Sequence, residues 1–342
     1  MNLFFSKFFF ANNGRLCPTG NGSCLWDTDN GGRLWGKGNG IFFCSFFILF
    51  FFASCENQDK ENEKNTNYIV CTTGMIADAV KNIIGKEKDF TIITLMGAGI
   101  DPHLYKATPK DLQYLRKSAI VFYNGLHLEG KMAEVLENFS KQKTIVSLGD
   151  KLDKKKLRSI GNNQYDPHIW FDVSLWAESM QAIPEILIKK FPHKKEIFEE
   201  NTAKYIEKLQ KLHQEVKKSI QTIPKKQRVL ITAHDAFGYF GKAYQIEVKG
   251  LQGISTLSDF GLKDITDLVN FIIKNKIKAI FVESSIPKKS LEAVIEGCQQ
   301  KNHTIKIGGT LYSDALGAEN TKEGSYIGMV EENVKIIVEN LL

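Results

Sequence analysis

This chain of 342 residues predicts an α/β protein of two lobes, each with a mainly parallel sheet flanked by helices, joined by one long helix. Three observations carry that expectation. Short β-branched runs alternate with helical periodicities from Tyr68 to Ser147, the pattern of a parallel sheet covered by helices. The same alternation returns from Arg228 to Leu342. Between the two, Lys194 to Ile220 keeps a helical spacing with no internal proline or glycine.

The elements follow in order. Tyr68–Thr72 is a strand, and Gly74–Ile84 is a helix with Ile76, Ala79, Val80 and Ile83 on one face. Phe90–Leu95 is a strand that runs into Gly97-Ala98-Gly99-Ile100. Thr108 before Pro109 reads as an N-cap followed by proline at the first helical position, so a helix should run to about Lys117. Ala119–Tyr123 and Thr144–Ser147 are strands on either side of a helix over Gly130–Phe139. From Lys151 to Tyr165 lysine, glycine and asparagine dissolve the pattern into a surface loop. A helix should then run from Ser174 to Lys190 and stop at Phe191-Pro192. The long helix carries Ile197, Tyr205, Leu209, Leu212 and Val216 on one face, and at 1.5 Å per residue it would span about 40 Å. Arg228–Thr232, Ala279–Val282 and Thr304–Ile307 are the later strands, and Gly238–Tyr244, Ser290–Gln300 and Ser325–Leu342 the later helices.

The N-terminal region differs. Ile41 to Phe52 is almost wholly apolar, too short to span a bilayer comfortably but of the length of a signal-peptide core. Arg33 and Lys37 precede it; Ala53, Ser54 and Cys55 follow. This is similar to a bacterial lipoprotein signal, with cleavage before Cys55 and lipid on its sulfur, although Phe52 stands where leucine is usual. An uncleaved signal anchor is the alternative, and the mass of the membrane-bound chain separates the two. The polar run after Cys55 cannot bury a core and reads as a tether of about 40 Å when extended. Residues 1–40 match no pattern and are best explained by a misassigned start codon. The expected divisions are 1–54 signal segment, 55–67 lipidated cysteine and tether, 68–192 first lobe, 193–224 connecting helix and 225–342 second lobe.

Composition narrows the function. A hydrophobic fraction of 43% and a charged fraction of 25% are those of a globular domain. The net charge of +6 comes from lysines scattered along helices, with no aromatic-interleaved basic patch, so no nucleic-acid partner is expected. Of six cysteines, only Cys71 and Cys298 lie beyond Cys55, and their surroundings suit small buried hydrophobes rather than a bridge.

The histidines are more informative. Of seven, two stand in the repeated tripeptides Asp101-Pro102-His103 and Asp166-Pro167-His168. A third stands in Ala233-His234-Asp235-Ala236-Phe237, and an aspartate in Ser313-Asp314-Ala315-Leu316. Proline holds φ near about −65° and removes a donor, so a histidine just after Asp-Pro has little backbone freedom. Three imidazoles and one carboxylate, each in a loop or at a strand end, are a four-ligand set for a divalent transition metal.

Six motifs in order resemble the zinc/manganese-binding solute-binding lipoproteins of bacterial ABC metal importers. They are Met96-Gly97 through His103; Asn124-Gly125-Leu126; Asp166 through Asp172; His234 through Phe240; Gly250-Leu251-Gln252-Gly253-Ile254-Ser255; and Ser313 through Gly317. The resemblance covers about Tyr68 to Leu342. It implies two lobes on a rigid helix and capture of Zn²⁺ or Mn²⁺ outside the cytoplasmic membrane. It implies delivery to an ABC permease with its ATPase, by a monomer held to the membrane through lipid on the outer face or in the periplasm. It also implies His103, His168, His234 and Asp314 as ligands, two from each lobe. Zinc-dedicated relatives carry a histidine-rich loop, which 151–165 is not; manganese-dedicated ones have a carboxylate where this chain has His234.

Three residues are expected to support those ligands: Glu283 at a strand end, Asp235 beside His234, and His127 after Leu126. Asp172 has similar standing, whereas His193, His213 and His303 are expected to face solvent. A zinc-dependent hydrolase is a rival reading, but the chain has no His-Glu-x-x-His, nucleophile elbow or evident general base. A surface metallo-adhesin is another. No catalytic residue is expected.

Overall fold

The computed structural model describes residues 67–342; Ile41–Phe52, Cys55 and the tether lie outside the described residues. Before the long helix the strands are β1 (Asn67–Thr73), β2 (Phe90–Met96), β3 (Ile120–Tyr123) and β4 (Thr144–Ser147). They form one four-stranded parallel sheet in the order β2-β1-β3-β4. Its crossovers include helices α1 (Gly74–Ile84), α2 (Pro109–Lys117) and α3 (Ala133–Ser140). The expected start of α2 is present in full: Thr108 Oγ1 accepts the Asp111 N–H at 3.2 Å, and the Asp111 carboxylate accepts the Thr108 N–H at 2.7 Å. Gly130–Met132, expected as part of α3, forms a separate 3₁₀ turn.

The loop over Lys151–Tyr165 is not featureless. It folds into an antiparallel pair, β5 (Ser159–Gly161) and β6 (Gln164–Tyr165), turned by Asn162 and Asn163 at φ 50° and 59°. Asparagine is among the few side chains that accept the two left-handed positions of such a turn. The helix expected over 174–190 is two, α4 (Val173–Met180) and α5 (Ala182–Lys190), with the break at Gln181. Pro184 is the cause: it has no N–H for the Met180 carbonyl, and its ring crowds that carbonyl.

The connecting helix is α6 (Lys195–Gln221), 27 residues long. It buries Phe198, Tyr205, Leu209, Leu212, Val216 and Ile220, while Ile197, expected on that face, is exposed. Beyond it lie β7 (Val229–His234), α7 (Gly238–Tyr244), β8 (Glu247–Gln252), α8 (Leu262–Lys274), β9 (Ala279–Glu283), α9 (Lys289–Gln300), β10 (Lys306–Leu311) and α10 (Tyr326–Leu341). The strands pair in parallel, β7 with β8 and β9 with β10, and β7 lies against β9. Two of these elements were not expected. Strand β8, Glu-Val-Lys-Gly-Leu-Gln, has no apolar run to betray it. Helix α8 buries Leu268, Val269 and Ile272 at a helical spacing that the sequence does display. Strand β10 begins later than expected and slips register between Ile307 and Gly309.

One continuous apolar core joins residues from α1, β1 and β3 through α6 to α7 and α10. Each half has a second core on the opposite face of its strands. Helix α6 packs against α1, α4 and α5 from the first half and α7 and α10 from the second. The two halves are thereby seated on a common spine, with the strand ends of both facing one cleft. Cys71 and Cys298 are buried and unbridged.

Candidate metal centre

The cleft is built from strand ends. Chain leaving β2 turns at Gly97–Ile100, where Gly99 takes φ 71°, and delivers His103. His168 follows β6, His234 is the last residue of β7, and Asp314 stands three residues beyond β10. The carboxyl ends of parallel strands are where open α/β sheets place ligand sites.

The four side chains converge. One nitrogen or oxygen from each lies within 4.8 Å of the others. His103 Nε2 is 3.3 Å from His168 Nε2, His168 Nε2 is 3.5 Å from Asp314 Oδ1, and His234 Nε2 is 3.3 Å from Asp314 Oδ2. Donors about 2.0–2.1 Å from a tetrahedral Zn²⁺ are about 3.3 Å apart, so these contacts have the length of a coordination edge. The donors are sealed from water, with exposures of 1% for His103, 0% for His168 and His234, and 2% for Asp314. Asp314 presents both oxygens, and neither has a hydrogen-bond partner among the described residues. A buried carboxylate left this way is costly unless a cation satisfies it. The set therefore fits a divalent ion, with Asp314 able to raise the coordination above four.

Carboxylates stand behind two of the imidazoles. Asp166 Oδ1 is 2.7 Å from His168 Nδ1, and Glu283 Oε2 is 2.6 Å from His234 Nδ1. The first is a hydrogen bond that holds a proton at Nδ1 and leaves the His168 Nε2 lone pair facing the centre; the second is an ion-pair contact outside hydrogen-bond geometry. Glu283 Oε1 also accepts the His234 backbone N–H at 2.9 Å. His103 has no such partner, and its Nδ1 is buried unbonded. Trp170 ties the halves beside this cluster, donating from Nε1 to the Ser313 carbonyl at 2.9 Å.

Charge is finely divided here. Burial alone would depress His234, but Glu283 and then Asp314 outweigh it and hold the imidazole well above its ordinary range. For Asp314 burial pushes up, yet His234, then His168 and His103, hold it below the carboxylate range. Burial drives His103 down to about 3. Without metal, a proton on His234 competes with an incoming ion more strongly than on an ordinary imidazole. Lowering the pH strengthens that competitor, so affinity falls as pH falls; His103 does not compete until far into acid. Calorimetry at pH 7 in buffers of different ionisation enthalpy should show net proton release on Zn²⁺ binding, with affinity dropping between pH 7.5 and 5. A flat affinity over that interval would remove His234 as the proton competitor.

Not every expected supporting residue reaches the centre. Glu283 does. Asp235 turns away, and its Oδ2 accepts from Arg158 at 2.9 Å. His127 is exposed at φ 66°, because the left-handed turn that lets the Glu129 carboxylate cap Asn124 and Gly125 points it outward. Asp172 instead caps α4, accepting from the N–H groups of Ser174 and Leu175. His193 is exposed as expected, but His213 is half-buried, 3.1 Å from the Tyr244 hydroxyl, and the His303 ring lies 2.7 Å from the Ile277 carbonyl. Reasoning from sequence missed Asp166 and Arg158. An aspartate two residues before a proposed ligand was the available signal for the first; a lone arginine among lysines was the signal for the second.

The profile of the family described as zinc-uptake complex component A, periplasmic, matches residues 69–340. The manganese-binding lipoprotein MntA of Bacillus subtilis is 47% identical over 274 residues, covering 80% of this chain and 89% of that protein. The zinc-binding protein TroA of Treponema pallidum is 45% identical over 273 residues, covering 80% and 88%. The solved structure of periplasmic zinc-binding TroA from that organism superposes with a TM-score of 0.79 at 45% identity, covering 81% of this chain and 99% of the other.

Proposed function

Since the chain belongs to the periplasmic zinc-uptake component A family, we propose that it captures a divalent transition metal outside the cytoplasmic membrane and hands it to an ABC permease driven by its ATPase. The cargo is Zn²⁺ or Mn²⁺, and His103, His168, His234 and Asp314 hold it. The observation that carries this reading is the convergence of these four buried donors from both sides of one spine helix. Residues 68–192 and 225–342 act as two jaws of a monomer, with 193–224 as the beam between them. Relatives are named as lipoproteins, and no helix among the described residues is long and apolar enough to cross a membrane. Attachment through lipid on Cys55, at the outer face of the cytoplasmic membrane or in the periplasm, agrees with both. The work is that of a carrier: a fourth or fifth donor from Asp314 closes the shell that a catalytic metal keeps open for water.

The two most informative relatives are named for different metals, so preference must come from the donors. Three neutral nitrogens and one carboxylate suit Zn²⁺, and Mn²⁺ binds more weakly to most nitrogen and oxygen sets. A competition titration on the full chain in detergent should show about one metal per chain, with Zn²⁺ the tighter. Tighter Mn²⁺ would reverse the preference; stoichiometric binding of neither ion would remove the carrier reading.

A further inference from the structure

We propose that the aspartates of the two Asp-Pro-His tripeptides are latches, each joining its histidine to the opposite half of the molecule so that the halves must part before metal leaves. The inference rests on the carrier reading. Each aspartate divides its two oxygens. Asp101 Oδ1 accepts the His103 backbone N–H at 2.8 Å, and Asp166 Oδ1 accepts that of His168 at 3.0 Å. The other oxygen of each leads across the cleft.

For Asp101 the partner is direct. Thr256 Oγ1 donates to Asp101 Oδ2 at 2.6 Å. Thr256 sits in the loop after β8, where Gln252 Nε2 donates to its carbonyl at 2.9 Å. Gln252 stands in register beside His234 on the paired strands β7 and β8. A short path therefore runs from His234 through Gln252, Thr256 and Asp101 to His103.

For Asp166 the partner is Arg158, from the loop that sequence left blank. Its Nη1 donates to Asp166 Oδ2 at 2.6 Å and its Nη2 to Asp235 Oδ2 at 2.9 Å, one fork gripping a carboxylate from each half. The motif that begins with His234 is shaped to receive it. A Cβ on Gly238 would fall 1.9 Å from Arg158 Nη1, so glycine leaves room for the guanidinium. Tyr239 donates its hydroxyl to the Asp166 carbonyl at 3.0 Å and accepts the Arg158 backbone N–H at 2.9 Å. Arg158 and Thr256 are thus positioning residues: neither reaches the donors, and each holds the group that holds one.

The donors are at most 2% exposed, so an ion cannot pass without movement of the segments that cover it. Parting the halves withdraws Thr256 from Asp101 and Asp235 from Arg158, and so loosens His103 and His168 together. Release of the ion is then coupled to opening, while capture by the open form is not.

The test is kinetic. The full chain in detergent is loaded with Zn²⁺ and mixed rapidly with excess chromogenic chelator; association is followed separately. Thr256→Val keeps the shape and removes the hydroxyl, and Arg158→Gln removes the fork. Each should speed Zn²⁺ dissociation about tenfold, the scale of a lost hydrogen bond to a charged group, with association within about twofold of the parent. Thr256→Ser should restore the parent rate, and Asp235→Asn, at a half-buried position, should reproduce part of the Arg158 effect without disturbing a fully buried group. Dissociation unchanged in both Thr256→Val and Arg158→Gln, or equal acceleration in both directions, would overturn the latches while leaving the carrier standing. Failure of the parent chain to bind Zn²⁺ would remove the carrier first.

Discussion

His168→Ala and His234→Ala should each weaken Zn²⁺ binding by roughly a thousandfold, and His103→Ala by clearly less. All three lose one coordinate bond. The first two also lose an imidazole backed by a carboxylate that raises its basicity, Asp166 at 2.7 Å from His168 and Glu283 at 2.6 Å from His234. Both carboxylates are in closed surroundings, Asp166 fully buried and Glu283 nearly so. A carboxylate behind a ligand imidazole is worth about tenfold to a hundredfold in metal affinity, in addition to the lost donor. His103 has no carboxylate behind its Nδ1, so its loss carries no such penalty. Chelator-competition titrations of the three variants give the order. Parent-like affinity in His168→Ala and His234→Ala would end the proposed site. His103→Ala as the most severe of the three would show that the supporting carboxylates contribute little.

That ordering could not have been read from the sequence, although the four proposed donors could. Histidine after Asp-Pro is recognisable because proline restricts the backbone there, and the repeat of the tripeptide drew His103 and His168 together before any geometry was known. What periodicity could supply was supplied well: α1, α6 and α10 were legible from their apolar faces, and α2 from Thr108 and Pro109. The failures have local causes. Pro184 divided a helix that its apolar spacing made look continuous. Strand β8 carries Lys249 and Gly250 where a strand signal would need apolar residues, because it stands at an edge where only Leu251 is buried. Asp235 was assigned to the ligand beside it in sequence, but neighbours on a strand end point opposite ways, and it serves the other half through Arg158. Long-range partners of that kind leave no periodic trace.

Gly250→Ala should damage both the fold and the metal centre. Gly250 lies on β8 opposite Thr232. A Cβ there would sit 2.4 Å from the Asp235 backbone nitrogen, 2.5 Å from the His234 carbonyl carbon and 2.9 Å from Asp235 Cα. All three are backbone atoms, so no side chain can swing aside; β8 must move from β7, or the His234-Asp235 turn must move from the cleft. The first weakens the strand pair, including the bond from the Asp235 N–H to the Gln252 carbonyl at 3.1 Å. The second pulls on His234 and on the carboxylate that Arg158 grips. Overpacking of this kind costs about 1–3 kcal/mol. Denaturant unfolding of the metal-free chain should show that loss, and a separate titration should show Zn²⁺ affinity reduced by about tenfold or more, because His234 moves with the backbone. The two readouts divide the outcomes. Lost stability with parent affinity would mean that β8 yields and His234 stays in place. Parent values in both would mean that the close approach of β8 to the His234 turn is not maintained in solution.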